Sequence, residues 1–136
     1  MSTMGFDLHD RAVQAIAKQR FSYPDKEKPD WKTWVNTKEE KTMGVKANGN
    51  PVYPDIVVTD KENKAIIAGE IETEDTIDED EAKQWHQYSD LCGTCYVYVP
   101  VGCENRTKEL IQGEKFSISG IRTYRFDASK VIVTNV

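Results

Sequence analysis

"PDIVVTDKENKAIIAGEIET", from Pro54 to Thr73, decides how the chain is read. Two apolar, β-branched runs flank the charged tetrapeptide 61–64, which predicts two strands joined by a tight turn. The short connection predicts antiparallel pairing. Residues two apart on a strand face the same side, so Glu70 and Glu72 project together while Gly69 and Ile71 face the other way. Asp55 opens the preceding strand, fifteen positions before Glu70, and the two carboxylates are expected to meet only through an offset or splayed pairing. Two or three carboxylates within a few ångströms do not all stay ionised without a cation. Hard divalent cations accept such ligands, often two carboxylates with a backbone carbonyl and waters, and the Ile71 carbonyl is the expected backbone ligand. The same spacing also fits a strand whose wet face carries Glu70 and Glu72, with Asp55 in a turn after Pro54.

Upstream, Phe6 to about Arg20 reads as an amphipathic helix, with Leu8, His9, Val13, Ile16 and Ala17 at helical spacing. Two prolines in "FSYPDKEKPD" (21–30) end it. "WKTWV" and "TMGVK" are short strand candidates, and Asn48-Gly49 is a hairpin turn leading into "VYPDIVVTD", read as one strand. After "AIIAGEIET" the period changes. Thr76 is the expected cap of a helix, with Glu79 three residues on, and Ala82, Trp85, Ser89 and Cys92 line one of its faces. "TCYVYVP" is a buried strand. Glu104 to about Gln112 is a further helix closed by Gly113, and "FSISGIRTYRF" and "KVIVTNV" are late strands. A strand, a crossover helix and a strand imply one parallel pairing in a sheet that otherwise meanders. The fold class is therefore α/β, a mixed central sheet flanked by helices.

The 136 residues are expected to form one domain (1–136) with a buried core. No apolar run approaches the ~20 residues of a membrane span. The N-terminal "MSTMGFDLHDRAVQ" has no signal-peptide core and the three cysteines fit no disulfide framework, so a cytoplasmic location with reduced thiols is expected. The net charge of −5 is unevenly spread: residues 51–91 carry 3 basic and 12 acidic side chains. Overall acidity argues against phosphate contacts, but acid focused in one segment is what a divalent-metal site requires. For "DEDEAK" (78–83) the plainer reading is the solvated first turn of a helix.

The "PD" at 54–55, the hairpin, and "EIE" at 70–72 at the end of the following strand resemble the PD-(D/E)xK nuclease superfamily. "QWHQY" at 84–88 is similar to the Q-x-x-x-Y pattern of its RecB-type branch. The resemblance covers about residues 7–99. It implies a restriction-endonuclease-like core of helix, three strands, helix and strand, followed here by a C-terminal helix and strands. It implies that Asp55, Glu70 and the Ile71 carbonyl hold Mg²⁺ or Mn²⁺, with Gln84 and Tyr88 supporting the site. It also implies DNA as the partner and is compatible with a homodimer or larger nuclease assembly; with no apolar run of membrane-spanning length, no membrane partner is expected. The chain departs from the pattern at its third position, where Glu72 stands in place of lysine. Some type II restriction endonucleases of the superfamily carry glutamate there. Lys83, one turn into the next helix, is a candidate substitute cation, and Asp10 on the first helix is a candidate acidic residue aimed at the site.

The expected activity is hydrolysis of a DNA phosphodiester by a metal-activated water, with Glu72 orienting the water or binding a second ion. Two other readings stand beside it: a nuclease-fold module without catalysis that binds nucleic acid or protein, and a structural domain with an acidic edge. Cys92, Cys95, Cys103 and His86 could form a Cys₃His zinc site, but Cys95 alternates inward with Val97 and Val99 as a small buried hydrophobe. His9 reads as a satisfied core histidine. Trp31, Trp34 and Trp85 read as core, with "WKTW" an alternative nucleic-acid contact. No Ser-His-Asp order, phosphate-cradling glycine loop or HExxH is present.

Overall fold

Ala65–Ile71 (β5) lies within a six-stranded mixed sheet, and its last four residues are buried. The structure is a computed structural model that describes residues 4–128 and 130–135, with side chains from Leu8 onward. Its elements run α1 (Met4–Arg20), β1 (Lys32–Val35), β2 (Val45–Ala47), β3 (Asn50–Val52), β4 (Ile56–Thr59), β5, α2 (Glu79–Cys92), β6 (Cys95–Pro100), α3 (Glu104–Glu114), β7 (Gly120–Asp127) and β8 (Lys130–Asn135). The sheet order is β1-β4-β5-β6-β7-β8, and β2 and β3 form a separate hairpin.

The alternation of β5 sorts its side chains between two helical layers. Ile71 joins the cluster under α1, with Val13, Ile16, Ile56 and Tyr98. Ala68 joins the cluster under α2 and α3, with Trp85, Val97 and Ile111. Gly69 falls on the α1 side, where a Cβ would lie 3.3 Å from Ile56 Cβ and 3.4 Å from the Phe21 ring. Glu70 and Glu72 share the phase of Ala68 and therefore face α2.

β4 and β5 pair antiparallel, and the turn closes between Asp60 and Lys64 with Asn63 at φ 63°. The Asn48-Gly49 turn forms as expected, with both residues at positive φ. Other expectations are corrected. "VYPDIVVTD" is not one strand: β3 ends at Val52 and pairs with β2, while Pro54, lacking an N–H, falls in the break before β4. The sheet has two parallel pairings, β5–β6 and β6–β7, because α3 makes a second crossover. The α2 cap is Asp78, whose carboxylate accepts from the Glu81 N–H at 2.9 Å. Thr76 ends a short 3₁₀ turn (Glu74–Thr76) instead, and its hydroxyl is taken by Glu72. α3 runs through Gly113 and stops at Lys115, which adopts the left-handed conformation. Among the described residues no helix is long and apolar enough to cross a membrane.

Candidate metal centre

The β4–β5 register sets Ile56 opposite Gly69, and one further step brings Asp55 opposite Glu70. No offset at the site is needed, because the register shift lies at the other end of the pair, between Val58 and Thr59. The two acids are laced to each other's backbone. The Asp55 N–H donates to Glu70 Oε2 at 2.8 Å, and the Ile71 N–H donates to Asp55 Oδ2 at 2.9 Å. The Asp55 carbonyl in turn accepts from the Asn36 N–H at 2.8 Å.

Glu72 lies just past β5 and is 3% exposed. Its two carboxylate oxygens accept from the Thr76 hydroxyl at 2.6 Å and from Trp85 Nε1 at 3.0 Å. Glu70, Glu72 and Glu81 each offer an oxygen within 4.8 Å of the other two. That spacing is about twice a divalent cation's ligand distance, so one ion could hold all three. Without an ion the site favours the neutral form of these acids. Burial, then the charges of Asp55 and Glu72, keeps the Glu70 carboxyl well above the usual carboxylate range. Burial, then Glu81, pushes Glu72 up to about 8, and burial raises Glu81 as well. Buried acids that resist ionisation, gathered around one point, are a donor set suited to a hard divalent cation.

His9, from the buried stripe of α1, reaches the same place. Its Nε2 lies 3.1 Å from the Ile71 carbonyl and 3.4 Å from Asp55 Oδ2, and its Nδ1 lies 3.3 Å from Asp10 Oδ1. The hydrogen bond to Asp55 raises His9 from 6.5 to about 9, against the opposing effect of burial. At neutral pH the ring is thus an imidazolium bridging two acids. It is the cation that compensates Asp55, and it sits on the carbonyl that the resemblance assigns to a metal.

A cavity of about 180 Å³ collects these groups. Asp55, Glu70, the Ile71 residue, Glu72, Gln84 and Tyr88 all line it, together with His9, Thr76, Glu81 and Tyr53. Gln84 is exposed at its surface, and Tyr88 is buried. Burial, then the Glu70 charge, holds the Tyr88 phenol far above its ordinary value, so it remains a neutral donor.

Other candidates lie elsewhere. Lys83 is exposed and lines two other cavities, one with Arg106 and Glu109 and one with His86 and Asp90. Asp10 reaches the site through His9 and does not line the cavity. The zinc alternative is not assembled: among the described residues the one tight group of three potential ligands is the glutamate cluster. Cys95 is buried with its thiol pushed up by burial, and His86 stacks on Phe116 while facing Glu114 at 3.2 Å. Trp85 is core, as expected. Trp31 and Trp34 are half-buried, with Lys28 and Lys32 over their rings.

Glu81, read as solvated, and His9, read as a satisfied core histidine, are the residues that sequence reasoning did not place at the site. Both carried a signal. Glu81, Gln84, Trp85 and Tyr88 recur at helical spacing and share one face of α2. His9 shares the face of Ala12, Val13 and Ile16, all fully buried. No family model, curated protein or solved structure matches the chain.

Proposed function

We propose that the chain is a Mg²⁺- or Mn²⁺-dependent phosphodiesterase that cleaves DNA, built on a restriction-endonuclease-like core. The observation that carries the reading is that Asp55, Glu70, Glu72, Gln84 and Tyr88, from three separate segments, line one cavity. The topology supports it. α1, the antiparallel run β1-β4-β5, α2, and β6 parallel to β5 follow the superfamily's order, with the β2–β3 hairpin inserted between the first two strands of the core.

Asp55, Glu70 and the Ile71 carbonyl are the ligands that the motif suggests, and Glu72 and Glu81 extend the donor set from Glu70. Held by these residues, a divalent cation would supply charge to the phosphoryl oxygens and acidify a water. The protein's own groups do the rest. Glu72, oriented by Thr76 and Trp85, accepts the proton of the attacking water. His9 supplies positive charge at the acids where the superfamily's lysine is missing. Tyr88 donates a hydrogen bond, and Gln84 holds the substrate phosphate at the mouth.

A second reading, a nuclease-fold module without catalysis, is favoured by one observation: among the described residues no lysine or arginine lines the cavity. Incubation of plasmid and oligonucleotide DNA with Mg²⁺ or Mn²⁺ separates the two. The phosphodiesterase reading expects cleavage that EDTA and Asp55→Ala each abolish. DNA left intact by the wild type under both metals supports the second.

A further inference from the structure

Tyr53 and Val101 are the exposed large hydrophobic residues among those described, and Tyr53 is 38% exposed. A single exposed aromatic is ordinary. Tyr53 differs in that it also lines the carboxylate cavity, next to Asp55 in sequence across Pro54.

Its ring is held from behind. A Cβ on Gly44 would lie 3.0 Å from Tyr53 Cε1, 3.3 Å from Cζ and 2.9 Å from Pro51 Cβ. The ring therefore rests on backbone that admits no side chain. Both flanks of this contact are tied to one buried residue. The Asn36 amide donates to the Met43 carbonyl at 2.8 Å, just before Gly44, and to the Pro54 carbonyl at 2.7 Å, just after Tyr53. An aromatic ring fixed in this way loses little freedom on binding.

The cavity's small size and its acids suit a phosphoryl group with its counter-ions. A base attached to that phosphate has to lie outside, against the rim. There Tyr53 offers a flat apolar face, whereas Tyr88 is buried. Within a duplex a base is paired and stacked on both faces; within a single strand it is unpaired and loosely stacked, free to turn onto a protein ring. The chain's net charge of −5 also gives little general attraction to phosphates, and stacking does not depend on charge. Resting on the phosphodiesterase reading, we infer that Tyr53 stacks on the base beside the scissile phosphate and that the substrate is single-stranded nucleic acid.

The test is a binding titration in Ca²⁺ of wild type, Tyr53→Ala and Tyr53→Phe. The probes are a labelled oligothymidylate, the same oligomer made abasic, and a blunt DNA duplex, read by fluorescence anisotropy. Tyr53→Ala weakens oligothymidylate binding about tenfold, the scale of one base–aromatic stack. Tyr53→Phe binds like the wild type, because the ring and not the hydroxyl carries the contact. The abasic oligomer binds wild type no more tightly than oligothymidylate binds Tyr53→Ala. An unchanged affinity in Tyr53→Ala, or tighter wild-type binding to duplex than to single strand, overturns the inference. If Asp55-dependent cleavage persists in that case, the phosphodiesterase reading stands without it. A wild type that neither binds nor cleaves any nucleic acid overturns both.

Discussion

Two buried polar systems meet at Asp55, and they are built on opposite principles. On one side Asn36, 1% exposed, uses its side chain fully. It donates to the Met43 and Pro54 carbonyls and accepts from the Thr42 and Met43 N–H groups at 2.7 and 2.9 Å. It carries no charge, so burial costs little once its bonds are made. On the other side Glu70 and Glu72, 5% and 3% exposed, are buried acids crowded by Glu81 and Asp55. Their hydrogen bonds hold them in position without removing the cost of burying charge. The first system fixes the backbone that presents Asp55. The second gathers acids that ionise only at a cost, which a bound cation would offset, and such groups gather at functional sites.

Substitution at the two systems should therefore act in opposite directions on metal-free protein. Asn36→Ala leaves several buried groups unpaired, at ~1–3 kcal/mol for each that stays dry, and should lower stability by on the order of 3 kcal/mol. Glu70→Gln keeps an oxygen for the Asp55 N–H and removes a buried acid, so at pH 8 it should leave stability unchanged or raise it. Urea denaturation in EDTA measures both. A Glu70→Gln loss as large as that of Asn36→Ala would mean that Glu70 is simply a structural partner.

Glu72→Gln sharpens the comparison within the acidic system. Its amide oxygen can still accept from Trp85 Nε1, and its NH₂ can donate to the Thr76 hydroxyl. Folding should survive, while DNA cleavage falls about 10²-fold or more, the scale of a lost general base. Retained cleavage would remove Glu72 from the proton transfer.

The same acids also predict a pH dependence. Folding raises Glu72 from 4.5 to about 8 and His9 from 6.5 to about 9. Across that span the native state binds more protons than the unfolded chain, so stability falls as pH rises. The His9 contribution is complete below 6.5 and lost on passing about 9; the cost of ionising Glu72 sets in above 4.5 and is complete above about 8. The Tm of metal-free protein should accordingly decline between about pH 5 and pH 9, and Mg²⁺ should flatten the decline because ligand acids bind it deprotonated. A flat profile in EDTA would show that these groups are not perturbed in the folded state.

Strand phase and turn chemistry made much of this legible in the sequence. Glu70 and Glu72 on one face, the antiparallel β4–β5 pair, the crossover through α2 and the burial of Trp85 all follow from local periodicity. What local pattern does not contain is contact across long separations. His9 and Ile71 are 62 positions apart, and nothing near His9 says that its ring meets a strand end. Glu81 read as solvated because it sits in a charged first turn; in the fold it is half-buried and hydrogen-bonds Glu72, which arrives from β5. The break at Pro54 was readable from the missing N–H, but the hydrophobic run on either side outweighed it. Asp78 and Thr76 are both good caps, and the choice between them was made by Glu72, which engages the threonine.

Buried acids without a cation should hold protons, and a cation should displace them. Isothermal titration of Mn²⁺ into EDTA-stripped protein at pH 7.5, in two buffers of different ionisation enthalpy, counts protons directly. Saturable binding with protons released on each metal bound is expected, with loss of that binding in Glu70→Gln. Absence of binding heat in both buffers, or binding that releases no protons and persists in Glu70→Gln, would contradict it.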